Sequence, residues 1–198
     1  MSLNENLSST PQDRRELMDL IERMQGAFTT IAKSKIPTIA LAHGFCIGGA
    51  TSLVSACDIR LATKDAKFSI GETKLGLVAD VGVIQRMPNI VSSGDMNELA
   101  LTGRIFDGQH AEKIRFVSKV YDNSDDLFDA GEKLANEIAS NSTRIVQATK
   151  QALEKSTNLT IDQGLEYAKL WSTSFLVSED LREGVMAFLE KREPKFNE

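Results

Sequence analysis

The apolar positions change rhythm along this chain, and each change marks an element. Leu17, Leu20, Ile21, Met24, Phe28 and Ile31 recur at helical spacing and share one face. Thr10 can cap that helix, with Pro11 at its first position and Asp13 near its N-terminus. It should end near Ser34, ahead of Pro37. Residues 39–42 are a short apolar run and read as a buried strand. His43-Gly44 turns the chain, Gly48-Gly49 follow, and residues 50–56 run on mostly apolar with no breaker, as a helix would. Strands are expected at 59–62 and around 68–70. Short helices are expected at 83–87, stopped by Pro88, at 96–101 after the Ser92-Ser93-Gly94 turn, and at 108–114, with a strand at 117–121.

From Ser124 onward only the helical period remains. Leu127, Ala130, Leu134 and Ile138 mark one face, and Ile145, Ala148, Ala152 and Leu153 the next. Ile161, Leu165, Ala168, Trp171 and Phe175 mark another, and Val185, Met186 and Leu189 the last. The switch from mixed strands and helices to helices alone predicts a boundary near Asn123. An α/β core is therefore expected over residues 1–123 and a helical, oligomerising region over 124–198.

Composition narrows the classes. A chain of 198 residues is long enough to bury a proper core. A net charge of −5 gives no electrostatic reason to expect nucleic acid or an anionic membrane as partner. No stretch is long and apolar enough to span a bilayer. Cys46 and Cys57 lie in apolar surroundings and read as reduced core thiols, which suits a cytoplasmic or mitochondrial-matrix protein. Residues 1–9 read as a polar, disordered lead rather than a signal peptide, and the final Lys-Phe-Asn-Glu is not a peroxisomal address. Two histidines and two cysteines without ligand spacing suggest no metal site.

The candidate chemistry sits in residues 39–91. A strand, a glycine turn and a helix start present backbone N–H groups that can face a polarised carbonyl oxygen. Glu72 follows the strand around 68–70, and Asp80 stands between Ala79 and Val81. An acid with apolar neighbours is a candidate for proton transfer. Each feature also has a plainer reading. Gly48-Gly49 can be a tight turn, Glu72 a solvated loop carboxylate, and Asp80 an N-cap ahead of Val81-Gly82.

The stretches HGFCIGGA with SLVSACDIRLAT, and FSIGETKLGLVADVG, resemble the oxyanion-hole signature and the catalytic-acid loop of the crotonase superfamily, the enoyl-CoA hydratases and isomerases. The resemblance continues through LTGRIFDGQHAEKIRFVSKVY and EGVMAFLEKREPKF, and GLVADVG is similar to the dienoyl-CoA isomerases in particular. It implies an α/β spiral core of the ClpP/crotonase type with a C-terminal helical region. It also implies an acyl-CoA substrate with no metal or redox cofactor, and assembly as a homotrimer or a dimer of trimers. Gly49 matches the family's second oxyanion N–H donor, Glu72 its acid/base glutamate, and Asp80 the second proton shuttle of the dienoyl-CoA isomerases. Phe45, Ile47, Gly71 and Leu75 match walls of the acyl and pantetheine tunnel, with core packing as the alternative.

Three departures matter. Ser52 stands where hydratases carry a glutamate and dienoyl-CoA isomerases an aspartate, among the substrate-contacting positions. A serine cannot serve as that acid or base near neutral pH, so it counts against hydration more than against isomerisation. Arg115 stands where the family has a helix-ending glycine and would be strained in a left-handed cap. The family's block preceding the Thr10 helix, with its loop for the first oxyanion donor, is not found in this sequence. The expected activity is isomerisation of a 3,5-dienoyl-CoA to the 2,4-dienoyl-CoA in beta-oxidation. The alternatives are an enoyl-CoA hydratase and a non-catalytic, oligomerising homologue.

Overall fold

The computed structural model describes residues 10–196, so the lead over 1–9 lies outside the described residues. Thr10 caps α1, Pro11–Ala32: its hydroxyl accepts from the Asp13 N–H while the Asp13 carboxylate accepts from the Thr10 N–H. The apolar face of α1 is less covered than its spacing suggests. Ile21, Phe28 and Ile31 are half-buried, whereas Leu17, Leu20 and Met24 stay exposed.

β1, Ile39–Ala42, is followed by β2, Phe45–Ile47, by α2, Gly49–Ser55, and by β3, Ile59–Thr63, and β4, Lys67–Ser69. A 3-10 turn over Gly71–Leu75 leads to α3, Val83–Arg86, and a second one at Met87–Asn89 holds Pro88. Next come α4, Ser93–Thr102, β5, Phe106–Asp107, α5, Gly108–Lys113, and β6, Lys119–Tyr121. β1, β3 and β6 form one parallel sheet, with Ile39 opposite Ile59 and Leu61 opposite Lys119. β4 centres a second sheet, parallel to β2 and antiparallel to β5. The β1-to-β3 connection carries β2 and α2, the crossover that a parallel pair requires.

Phe68, Phe106 and Phe116 hold this core together. Phe68 lies 5.5 Å from each of the other two, centroid to centroid, stacked on Phe106 and edge-on to Phe116. Ile70, Val83, Met87, Leu99 and Val117 close around them, fully buried. Each such side chain contributes about 2 kcal/mol by leaving water.

The helical remainder is α6, Ser124–Ala139, α7, Thr143–Ser156, α8, Ile161–Thr173, and α9, Glu179–Glu190. The described chain divides into two compact units. One holds the residues up to Lys33 and Thr38–Leu127; the other holds Ser34–Pro37 and Phe128–Glu198, so the division falls inside α6. Ile36 joins the second unit through its carbonyl, which accepts from Lys150 Nζ at 3.1 Å. There α7, α8 and α9 line an apolar groove of about 730 Å³. Trp171 Nε1 donates to the Ala148 carbonyl at 3.0 Å, and Ser142 Oγ donates to the buried Asp180 carboxylate at 2.7 Å. No helix among the described residues is long and apolar enough to cross a membrane.

Candidate active site

The turns on either side of β2 are built on backbone that side chains rarely adopt. Gly44, between β1 and β2, has φ 63°, and Gly48, between β2 and α2, has φ 59°. The Gly48 N–H donates to the Ser69 carbonyl at 2.9 Å, and Thr51 Oγ1 bonds both the Cys46 carbonyl at 2.6 Å and the same Ser69 carbonyl at 3.0 Å. Thr51 thereby ties the first turn of α2 to the ends of β2 and β4. The amide of Gly49 is among the first of α2, which no carbonyl within the helix can reach. The space where a Gly49 side chain would stand is open.

Glu72 comes to the turn between β2 and α2 from the 3-10 turn that follows β4. Its Oε1 lies 3.3 Å from the place a Gly48 Cβ would take. Its Oε2 is buried and has no hydrogen-bond partner among the described residues. The solvated-loop reading of Glu72 therefore does not hold: the residue is half-buried and its carboxylate lies against the glycine turn. The backbone behind it is fixed by a paired cap, in which Leu77 N–H bonds the Glu72 carbonyl at 3.0 Å and Gly76 N–H the Thr73 carbonyl at 3.2 Å. Gly76, at φ 72°, makes the reversal possible.

Ser52 is fully buried one turn into α2, and its N–H donates to the Gly48 carbonyl at 3.0 Å. Its hydroxyl, like Glu72 Oε2, has no partner among the described residues. A buried hydroxyl so placed costs about 1–3 kcal/mol. The neighbouring Cys46 is pushed up to about 11 by burial, against a smaller opposing effect of the Thr51 hydroxyl, which makes it an inert core thiol.

Phe45, Ile47 and Leu75 are not core residues. β2 alternates, with Cys46 turned into the core and Phe45 and Ile47 exposed on the other face. Leu75 is exposed as well, with Leu77 and Val78 beside it in sequence. Gly71 sits close by, and a Cβ there would stand 3.7 Å from Ile47 Cγ2. The glycine turn, Glu72, Gly71 and the exposed face of β2 thus meet in one place.

Asp80 is not an N-cap. Gly82 occupies that position of α3, at φ 115° and with no side-chain cap bond. Asp80 is exposed between buried Ala79 and Val81, and its main-chain carbonyl accepts from Gln25 Nε2 at 2.6 Å. The sequence gives no hint of Gln25 or of Arg86, which bonds the neighbouring Val81 carbonyl. Both are ordinary polar residues of helices, and only the tertiary fold shows what they reach.

Residues 7–198 match the family model described as enoyl-CoA hydratase/isomerase. The chain belongs to that family. It is 48% identical over 188 residues to the mitochondrial Delta(3,5)-Delta(2,4)-dienoyl-CoA isomerase of Dictyostelium discoideum, covering 95% of this chain and 64% of that protein. To the mouse enzyme of the same name it is 41% identical, over 90% of this chain and 55% of that one. The chain therefore spans about three fifths of the curated relatives it matches. Among solved structures, an enoyl-CoA hydratase from Bacillus anthracis superposes with a TM-score of 0.87 at 27% identity, covering 98% of this chain and 74% of the other. The fold is the α/β crotonase fold.

Proposed function

We propose that the full-length protein isomerises a 3,5-dienoyl-CoA to the 2,4-dienoyl-CoA by moving a proton between carboxylates. The observation that carries this reading is Glu72 held against the Gly48–Gly49 turn with one carboxylate oxygen buried and unpartnered among the described residues. Glu72 takes a proton from the carbon next to the thioester. The negative charge spreads through the diene onto the thioester oxygen, where the Gly49 N–H meets it. A preorganised donor of this kind lowers the barrier by about 3 kcal/mol. Asp80 returns a proton at the far end of the diene, so one proton leaves and one arrives and no redox partner is needed. An acyl chain lying along Phe45, Ile47 and Leu75 buries their exposed surface, and Gly71 leaves it room. Hydration needs a second acid or base beside Glu72, and Ser52 cannot supply one. Similar dienoyl-CoA isomerases are mitochondrial in Dictyostelium discoideum and mouse and peroxisomal in Arabidopsis thaliana, which supports an organelle interior as the compartment.

The test offers the full-length protein a 3,5-dienoyl-CoA and a 2-enoyl-CoA side by side. Absorbance of the conjugated product should rise with the first, and the enoyl band should fall little with the second. Efficient hydration with no diene shift would replace this reading with a hydratase. Silence in both assays would replace it with a non-catalytic, oligomerising homologue.

A further inference from the structure

Asp80 can serve the far end of a diene only if its loop is held, and the hold comes from α1. Gln25 Nε2 donates to the Asp80 carbonyl at 2.6 Å. Thr29, one turn further along the same face of α1, accepts from Arg86 Nη2 at 3.1 Å, and Arg86 Nη1 donates to the Val81 carbonyl at 3.3 Å. Two consecutive carbonyls are thus each taken by a side chain, and both side chains belong to or bind the Gln25–Thr29 face. Gly82 leaves room for the clamp, since a Cβ there would stand 1.8 Å from Arg86 Nη1. Ala79 and Val81 pin the stretch from the core side.

The geometry decides what such bonds can do. The peptide plane after Asp80 carries the carbonyl that Gln25 holds. Holding that plane, with the flanking Ala79 and Val81 packed in the core, narrows the range of ψ open to Asp80 and so the directions in which its side chain can leave the backbone. We infer that Gln25 is a positioning residue for Asp80, orienting its backbone so that the carboxylate meets the carbon to be protonated, with the Arg86–Thr29 contact as the second point of the clamp. Gln25 does not touch the substrate. The inference rests on the isomerase reading given above.

The test is made in the full-length protein. Gln25→Leu should lower kcat for isomerisation roughly 10- to 100-fold, the scale expected when a reacting group is misplaced by about 1 Å, with KM little changed. Exchange of the proton next to the thioester with solvent deuterium needs only Glu72 and should keep its wild-type rate. Gln25→Lys, which retains a donor on a long stem, should recover most of the lost turnover. In an Asp80→Ala background, Gln25→Leu should add no further loss, because a residue acting through Asp80 has nothing left to position. A similar additional loss in that background, a parallel fall in deuterium exchange, or full activity of Gln25→Leu would each overturn the inference. Full isomerase activity in Asp80→Ala alone would remove Asp80 from the reaction and overturn this inference while leaving the isomerase reading standing; that reading falls only if the wild-type protein gives no diene shift.

Discussion

At the scale of single residues, the site turns on one carboxylate and what it lacks. Among the described residues, Glu72 Oε2 is buried without a partner, and so is the Ser52 hydroxyl. Folded proteins rarely leave buried polar atoms unpaired, and those that persist mark places where a ligand or water belongs. Glu72→Gln keeps the shape and removes the base. Turnover of the full-length protein should fall by roughly two orders of magnitude or more, while the denaturation midpoint barely moves. Near-full activity in that variant would remove Glu72 from the chemistry. Glu72 could be singled out in the sequence through the motif around it. That its carboxylate would lie on Gly48 was not legible there, because the approach depends on β2 and β4 pairing side by side.

The elements show where a one-dimensional reading stops. α1, β1 and β3 announce themselves by long periods or clean apolar runs. β2 and β5, of three and two residues, are too short to carry a period, and the apolar pattern does not mark either. They exist because β4 sits between them and satisfies their backbone groups. Tertiary context likewise decides Arg115, which ends α5 at φ 63°. Its N–H bonds the Glu112 carbonyl, and the Phe116 N–H bonds the Ala111 carbonyl, so the left-handed cap is complete with a side chain in the place a glycine prefers. The strained position is held because Phe116 behind it is fully buried in the aromatic core. Arg115→Gly should therefore raise stability by about 1 kcal/mol, read as a later denaturation midpoint; the gain from relieving a left-handed side chain outweighs the added freedom of the unfolded chain. Glu183, within α9, accepts from the Arg192 guanidinium and the Lys195 N–H, both past the end of the helix. Arg192, first, and the Lys195 amide hold its carboxyl down to about 2. Its folded value is below its unfolded one, so the contact is present above the ordinary carboxylate range and is lost as pH falls from about 4.5 toward about 2. Protection of the Lys195 amide against hydrogen exchange, measured relative to its intrinsic rate at each pH, should fall across that window and not above it.

At the scale of the molecule, the second unit carries a concentration of exposed apolar side chains on α8 and α9. Ile161, Leu165 and Leu170 on α8 are exposed, as are Leu181, Val185, Phe188 and Leu189 on α9, with Val177 between the two helices 97% exposed. Scattered apolar side chains on a surface are ordinary, but a concentration on two neighbouring helices marks an interaction surface. Covering even three or four of them contributes about 1.5–3 kcal/mol apiece before the cost of ordering two chains. Charge does not oppose self-association strongly, with a net of −5 over the whole sequence. We propose a trimer-based oligomer in which residues 124–198 supply much of the contact. Sedimentation of the full-length protein at micromolar concentration should give a species of three or six chains. Phe188→Asp should shift that distribution toward single chains while leaving the helix content unchanged, because Phe188 is 83% exposed and contributes little to the fold of its own unit. A wild-type protein that stays monomeric at that concentration would require another partner for α8 and α9.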